Sequence, residues 1–144
     1  MSDAKVDHIR HSAAHLLAAA VLDLFPNAKN AIGPAIEHGF YQDFDMGDEK
    51  ISEDDLPKIE AKMRELLKGW DKFEINEVSA DQAKKDFAKN PYKLELVEEF
   101  AKEGKTITET NQGGFLDLCK GGHVEEPSKE IKHFKLLSVA GAYW

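Results

Sequence analysis

The 144-residue sequence contains a single cysteine, so no internal disulfide can form, and the chain is expected in a reducing compartment, the cytoplasm. It contains no uninterrupted apolar run of 18 residues, which argues against a membrane-spanning helix and against a membrane partner. Positive charge is scarce: 19 Lys and Arg stand against 27 acids, a net charge of −8, and seven of those acids fall between Asp43 and Asp55. An acidic domain repels phosphate backbones at long range, so a nucleic-acid substrate would be held mostly by something other than this chain. Nucleotide-binding glycine loops of the Gly-x-x-x-x-Gly-Lys-Ser/Thr and Gly-x-Gly-x-x-Gly types are missing, as is a Gly-x-Ser-x-Gly elbow. Residues 1–7 lack an apolar signal region and read as a flexible leader. With 42% hydrophobic residues, no repeats and no internal boundary, residues 1–144 are expected to form one domain.

What the sequence does have is a strong helix signal from His8 to Phe25. The stretch is rich in Ala and Leu, Asp7 is a candidate N-cap, and Pro26 ends it. At 100° per residue, Ile9, Ala13, Leu16, Ala20 and Leu24 share one side, widened by Leu17 and Val21. Only His8, Ser12 and Asp23 form a polar seam, so this helix is expected to be the buried centre of the domain. His11 and His15, four apart, stack on the face roughly opposite the apolar stripe. A second pair with the same spacing lies in Cys119-Lys-Gly-Gly-His123, where Gly121 and Gly122 let the chain fold back. Two imidazoles on a helix face with a thiol and an imidazole on a loop make a tetrahedral zinc set. The same groups can equally bind a water and move its proton near neutral pH. A thiol among three imidazoles reads better as a ligand or water-binding group than as a nucleophile.

The remaining elements follow from periodicity and breakers. A short strand over 31–36, broken at Gly33-Pro34, pairs with a strand over 40–45 as a hairpin; the break suggests close approach of backbone to a ligand. An amphipathic helix runs from about Asp55 to Leu67, with Leu56, Ile59, Met63, Leu66 and Leu67 as its apolar stripe. A strand over 73–78 follows, then a charged helix capped by Ser79, then a helix after Asn90-Pro91. Lys93 lies in the first turn of that helix, where a cation opposes the helix dipole, and taken alone it reads as a solvated surface lysine. Two strands flanking Asn111-Gln-Gly-Gly form a hairpin that delivers Asp117 and Cys119 at a strand end. After a loop containing Pro127, a last strand is expected over 133–140. The whole predicts an α+β fold, an antiparallel β-sheet wrapped on the long N-terminal helix with peripheral helices.

Several of these segments, taken in order, resemble the editing domain of bacterial threonyl-tRNA synthetases. They are Arg10-His-Ser-Ala-Ala-His-Leu-Leu17, Ala31-Ile-Gly-Pro34, Gly39-Phe-Tyr41, Pro91-Tyr-Lys93, Asp117-Leu-Cys119 with His123, and Phe134-Lys-Leu-Leu through Ala140-Gly-Ala-Tyr-Trp144. The alanyl-tRNA editing domains share the two His/Cys pairs, whereas the Pro-Tyr-Lys and Ala-Gly-Ala-Tyr-Trp segments point to the threonyl branch. The resemblance implies hydrolysis of serine wrongly esterified to the 3′ end of threonine tRNA, with the remaining synthetase domains as partners. It implies an excised domain, with a freestanding trans-editing deacylase or a non-catalytic module of the same fold as alternatives. It places His11, His15, Cys119 and His123 around the scissile ester. Lys93 then becomes a site residue: with Lys93 near, His11 would position and deprotonate water, while Asp117 would orient the site or hold the substrate ammonium. Gly33, Tyr41 and Gln42 would contact substrate. The sequence departs from the family at Gln42, often a second tyrosine, and at Gly122, often proline. No cofactor is expected. The zinc alternative, with His11, His15, Cys119 and His123 as ligands, is set below a water-filled site because the Lys93 ammonium would repel the ion.

Overall fold

Nothing in Asp3-Ala-Lys-Val-Asp breaks a helix, and the first helix, α1, already spans Asp3–Leu24 in the computed structural model, which describes residues 3–33, 35–113, 115–119 and 123–141. The expected N-cap at Asp7 and the leader over 1–7 are therefore corrected from residue 3 onward: Asp7 lies within the helix, 3.9 Å from Arg10 one turn on. Between Ser12 and Val21 α1 is buried on nearly every side, with Leu16, Ala18 and Ala20 fully enclosed. Ser12 belongs to that interior rather than to a polar seam, because its hydroxyl donates to the His8 carbonyl at 2.7 Å and accepts from the Val124 amide at 3.1 Å.

Two elements cover α1. On one side lies α2, Leu56–Leu67, entered through a single 3₁₀ turn over Glu53–Asp55 that Ser52 caps. Its Ile59, Met63 and Leu67, spaced by four, enter the main core with Leu16, Val21, Trp70, Val124 and Ile131. On another side lies the hairpin. Strands β1 (Lys29–Asn30) and β4 (Phe44–Asp45) pair antiparallel, as do β2 (Ala35–Ile36) and β3 (Gly39–Phe40). Backbone bonds between Ala31, Ile32 and Asp43 carry the ladder onward from β1 and β4. The interruption falls at Gly33 as expected. The group that approaches Gly33 is part of the protein: a Cβ there would lie 2.2 Å from Gln42 Oε1 and 2.8 Å from the Tyr41 carbonyl oxygen.

A second, smaller core forms where α3 (Ala80–Asp86, capped by Ser79) and α4 (Pro91–Lys102, capped by Asn90) pack on a three-stranded sheet. That sheet runs β5 (Glu74–Val78), β6 (Ile107–Gln112), β7 (Phe115–Leu118), all antiparallel, with Thr110 opposite Asp117. Its tight turn needs Gly113, which has φ +57° and sits against the Trp70 ring, leaving no room for a side chain. The fold is thus α+β around a long N-terminal helix, and among the described residues its strands form three small antiparallel sheets rather than one wrapped sheet.

Among the described residues, the expected strand over 133–140 has no strand partner and no strand forms. Two of its backbone groups are taken by side chains of α2: Glu60 accepts from the Leu136 amide at 2.7 Å, and Arg64 donates to the Phe134 carbonyl at 3.1 Å while stacking on its ring. The loop after residue 126 tightens into one helical turn, α5, Pro127–Glu130. Pro34, Gly114, Lys120-Gly121-Gly122, where a fold-back was expected, and Ala142-Tyr143-Trp144 lie outside the described residues. No described helix is long and apolar enough to cross a membrane.

These two layers of burial give a direct check. Met63→Ala, at a side chain with 0% exposure, should cost about 2–5 kcal/mol in urea denaturation. Ile75→Ala, on the open face of β5 and 51% exposed, should cost about 0.5 kcal/mol or less. A reversed order would mean the core has been misplaced.

Candidate active site

Four elements deliver one polar cluster to the junction of the two cores. His11 and His15 come from α1, Lys93 from the first turn of α4, Asp117 from β7, and Cys119 and His123 from the chain just after β7. Asp117 is 2% exposed, and each of its oxygens has two donors. Oδ1 accepts from Lys93 Nζ at 2.7 Å and from the Leu118 amide at 2.9 Å. Oδ2 accepts from His15 Nδ1 at 3.1 Å and from Asn30 Nδ2 at 3.3 Å. Burial by itself would oppose ionisation, but the Lys93 charge and the His15 hydrogen bond outweigh it, and the carboxyl titrates far below the usual range. Lys93 is buried at 4% exposure, which corrects the reading of a solvated surface lysine.

Beyond His15 the cluster turns to sulfur. Cys119 Sγ lies 3.3 Å from His11 Nε2 and 3.0 Å from His123 Nε2. One ligand atom from each of His11, His15, Cys119 and His123 falls within 4.8 Å of all the others, although about a hundred residues separate the pairs. The rings also touch one another: His11 stacks on His123 with centroids 4.6 Å apart, and Phe73 stacks on the far face of the group at 4.3 Å from His123. Burial disfavours the Cys119 thiolate, but hydrogen bonds from the three imidazoles prevail and bring the thiol down to about 4. Burial likewise disfavours the charged form of His15, and Asp117 and Cys119 overcome it to raise the imidazole to about 9. For His123 burial dominates and lowers the value, leaving it neutral near pH 7. At neutral pH the centre therefore carries a thiolate, an imidazolium, a carboxylate and an ammonium, a balanced set of charges.

His11, His15, Lys93, Asp117 and Cys119 line one side of a cavity of about 490 Å³, whose other walls include Ala31, Ile32, Gly33, Gln42, Leu96 and Phe100. Gly33 and Gln42, expected to contact substrate, lie on this wall. The Tyr41 side chain is 41% exposed and is not part of this wall. Its contribution here is the backbone carbonyl packed on Gly33.

No family model matches the chain. Comparison with curated proteins is more informative. The chain is 52% identical over 136 residues to a threonine–tRNA ligase of Dehalococcoides mccartyi, covering 94% of the chain and 23% of the relative. For the enzyme of Thermotoga neapolitana the figures are 51% over 137 residues, with 94% and 21% covered. For that of Staphylococcus carnosus they are 48% over 143 residues, with 99% and 22% covered. Its relatives are threonine–tRNA ligases. The chain spans between a fifth and a quarter of their length, and corresponds to one segment of them.

The cluster also holds a donor set that fits zinc in kind. Three imidazoles and a thiolate are tetrahedral zinc ligands, and Asp117 on His15 Nδ1 leaves Nε2 for the Cys119 side of the cluster, the arrangement that orients metal-binding histidines. The fit in distance is looser. Metal–ligand lengths place a thiolate and an imidazole nitrogen of a tetrahedral site roughly 3.5 Å apart, so the 3.0 Å contact to His123 would have to open by roughly half an ångström. The Lys93 charge does not decide the matter, because Asp117 at 2.7 Å already neutralises it. If bound, zinc would sit on His11, His15, Cys119 and His123 and supply Lewis acidity.

Four positions in the site carry no obvious motif. Asn30 bridges Asp117 and Asn90, donating to the first and accepting from the Asn90 amide at 2.8 Å on its carbonyl. Asn90 accepts from the Tyr92 and Lys93 amides, so one cap fixes both the start of α4 and the place of Lys93. Thr108 pins Cys119 at both ends of its backbone, donating to its carbonyl and accepting from its amide. Ser12 ties the chain after His123 to α1. Only Asn90-Pro91, an N-cap followed by proline at the first helical position, was legible beforehand.

Two measurements test this electrostatic reading. In metal-free protein the rate of Cys119 alkylation should follow a thiolate titrating well below the ordinary thiol value near 9, and His15→Ala should move it upward. A midpoint near 9 in the parent protein would contradict the cluster. Lys93→Met should destabilise the fold by on the order of 3 kcal/mol, because it leaves a buried carboxylate short of its closest cation. The pH signs follow the shifts. The raised His15 stabilises the fold below 6.5 and loses that effect as pH rises through about 9; the lowered Cys119 stabilises it above 9 and loses that effect as pH falls through about 4.

Proposed function

We propose that this chain hydrolyses the ester of serine mischarged onto threonine tRNA. The observation that carries this reading is the cluster of His11, His15, Cys119 and His123 with the Lys93–Asp117 pair, all but His123 lining one cavity, in a chain similar to threonine–tRNA ligases. The chemistry has a reason in those enzymes. A synthetic site that fits threonine excludes serine only by a missing methyl, which is worth about 1–3 kcal/mol, or roughly 10–200-fold. A second site too small for threonine removes the remainder.

In this mechanism the scissile ester lies against the imidazole cluster, and water attacks its carbonyl carbon. His11 positions the water and takes its proton as the new carbon–oxygen bond forms. The oxyanion develops beside Lys93, whose remaining N–H groups stabilise it, and its collapse releases serine and the tRNA hydroxyl. Asp117 acts through others: with two donors on each oxygen, it sets the positions of Lys93 and His15 and has no room for a substrate ammonium. Cys119 and His123 close the polar end. A low thiol value would also suit a nucleophile, so the same assay must look for an acyl-enzyme.

Serine-charged and threonine-charged threonine tRNA should be incubated with the chain, with and without chelator. The serine ester should be removed at least tenfold faster than the threonine ester, with no burst of acyl-enzyme, and His11→Ala should lower the rate by about 10²-fold or more. Equal rates on both esters would overturn the sieve. Activity lost on chelation and restored by zinc, with one zinc per chain, would make the four residues metal ligands first.

A further inference from the structure

The His123 ring needs support from outside its own stretch of chain. The two residues before it, Gly121 and Gly122, bring no side chains to hold it. Val124, the residue after it, is tied to α1 through Ser12, but that bond fixes the backbone and not the ring. Two other rings supply the support. His123 stacks with His11, centroids 4.6 Å and planes 27° apart, and with Phe73 at 4.3 Å and 17°. Two rings cannot stack on the same face of one imidazole, so His123 lies between them. Phe73 is braced in its turn: Trp70, 2% exposed, meets it edge-on at 5.8 Å, and Gly113 leaves room for the Trp70 ring. A row of contacts thus runs from the β6–β7 turn through Trp70, Phe73 and His123 to His11.

We propose that Phe73 is a positioning residue for the hydrolysis, holding the plane of His123 and, through it, the ring of His11. The inference rests on the proposed ester hydrolysis and adds to it a residue that touches no substrate. The described cavity wall includes His11 and Cys119 but neither His123 nor Phe73, so any effect of Phe73 reaches the reaction through its neighbours. Stacking on a flat face removes tilt, and the contact of Nε2 with Cys119 Sγ at 3.0 Å fixes the rotation that remains in the ring plane. Leucine at position 73 would still be apolar but would offer no flat face. His123 would then tilt, and His11 would lose the fixed neighbour that keeps its ring aimed. Proton transfer depends on that aim: a misplacement of about 1 Å caused by a change away from the reacting atoms can cost on the order of 10²-fold. Because substrate contacts are left alone, the loss falls on the chemical step and not on binding.

The test compares the parent chain with Phe73→Leu and Phe73→Tyr, each checked for folding by its urea midpoint. In the parent, the His123 ring protons should lie upfield of their ordinary NMR positions, because flat rings shield them. Phe73→Leu should move them back, and Phe73→Tyr, which keeps the flat ring, should not. On threonine tRNA charged with serine, Phe73→Leu should lower kcat about fivefold or more with KM within about twofold of the parent, and Phe73→Tyr should retain the rate. The parent spectrum decides the stack even where the leucine variant does not fold. Ordinary His123 positions in the parent, or an unchanged kcat in folded Phe73→Leu, overturn the role of Phe73 while leaving ester hydrolysis standing. A loss that comes through KM, or that Phe73→Tyr shares, overturns it too. A parent inactive on every ester overturns the proposed hydrolysis and this role together.

Discussion

The Asp117 carboxylate is the constraint on which the site depends. It is buried between two cores, and a buried carboxylate without partners would cost several kcal/mol or give up its charge. Its partners come from three other places in the chain: α1 through His15, β1 through Asn30 and α4 through Lys93. Each must stand at a set distance for the charge to be tolerated. The ion pair is therefore a register device as much as an electrostatic one. It tells α4 where its first turn lies relative to α1, and Asn90 makes the same statement from the other direction by capping α4 while bonding the Asn30 carbonyl.

Charge passes from that carboxylate outward in alternating sign. Asp117 favours the His15 imidazolium, and the imidazolium with its two neighbouring rings favours the Cys119 thiolate. The consequence for chemistry is that His15 and Cys119 are both committed at neutral pH, one holding its proton and the other lacking it. His123, by contrast, is held neutral by burial. The difference between His15 and His123 follows from their partners, since His15 is the ring that touches Asp117.

The pattern of legible and illegible features has a physical cause. The α1 core, the α2 stripe and the Ser79 and Asn90 caps are local or periodic, and the sequence states them directly. The hairpin over 29–45 and the turn at Gly113 were likewise marked by glycine. What failed was whatever depended on partners remote in sequence. Residues 133–140 alternate like a strand, yet Glu60 and Arg64 of α2 bond the Leu136 amide and the Phe134 carbonyl, and no described strand pairs with the segment. Lys93 at the start of a charged-looking helix reads as solvated, and only the distant Asp117 makes its burial tolerable. Ser12 looks like a surface residue until Val124 arrives to use its hydroxyl. The site residues themselves were brought forward by the two His/Cys pairs and by family resemblance; periodicity alone would have left Lys93, Asn30 and Thr108 unremarked.

The acidity of the chain bears on how such a site could act on RNA. The charge of −8 gives little general hold on a phosphate backbone. Under the proposed hydrolysis, that suits a domain that meets its substrate as a delivered 3′ end rather than by searching for tRNA in solution. Physical linkage to a tRNA-binding partner raises the effective concentration to the order of millimolar, so weak intrinsic affinity is enough. Weak affinity is even useful there. Discrimination then rests on contacts made at the ester and its side chain, where serine and threonine differ, rather than on the RNA, which is the same for both.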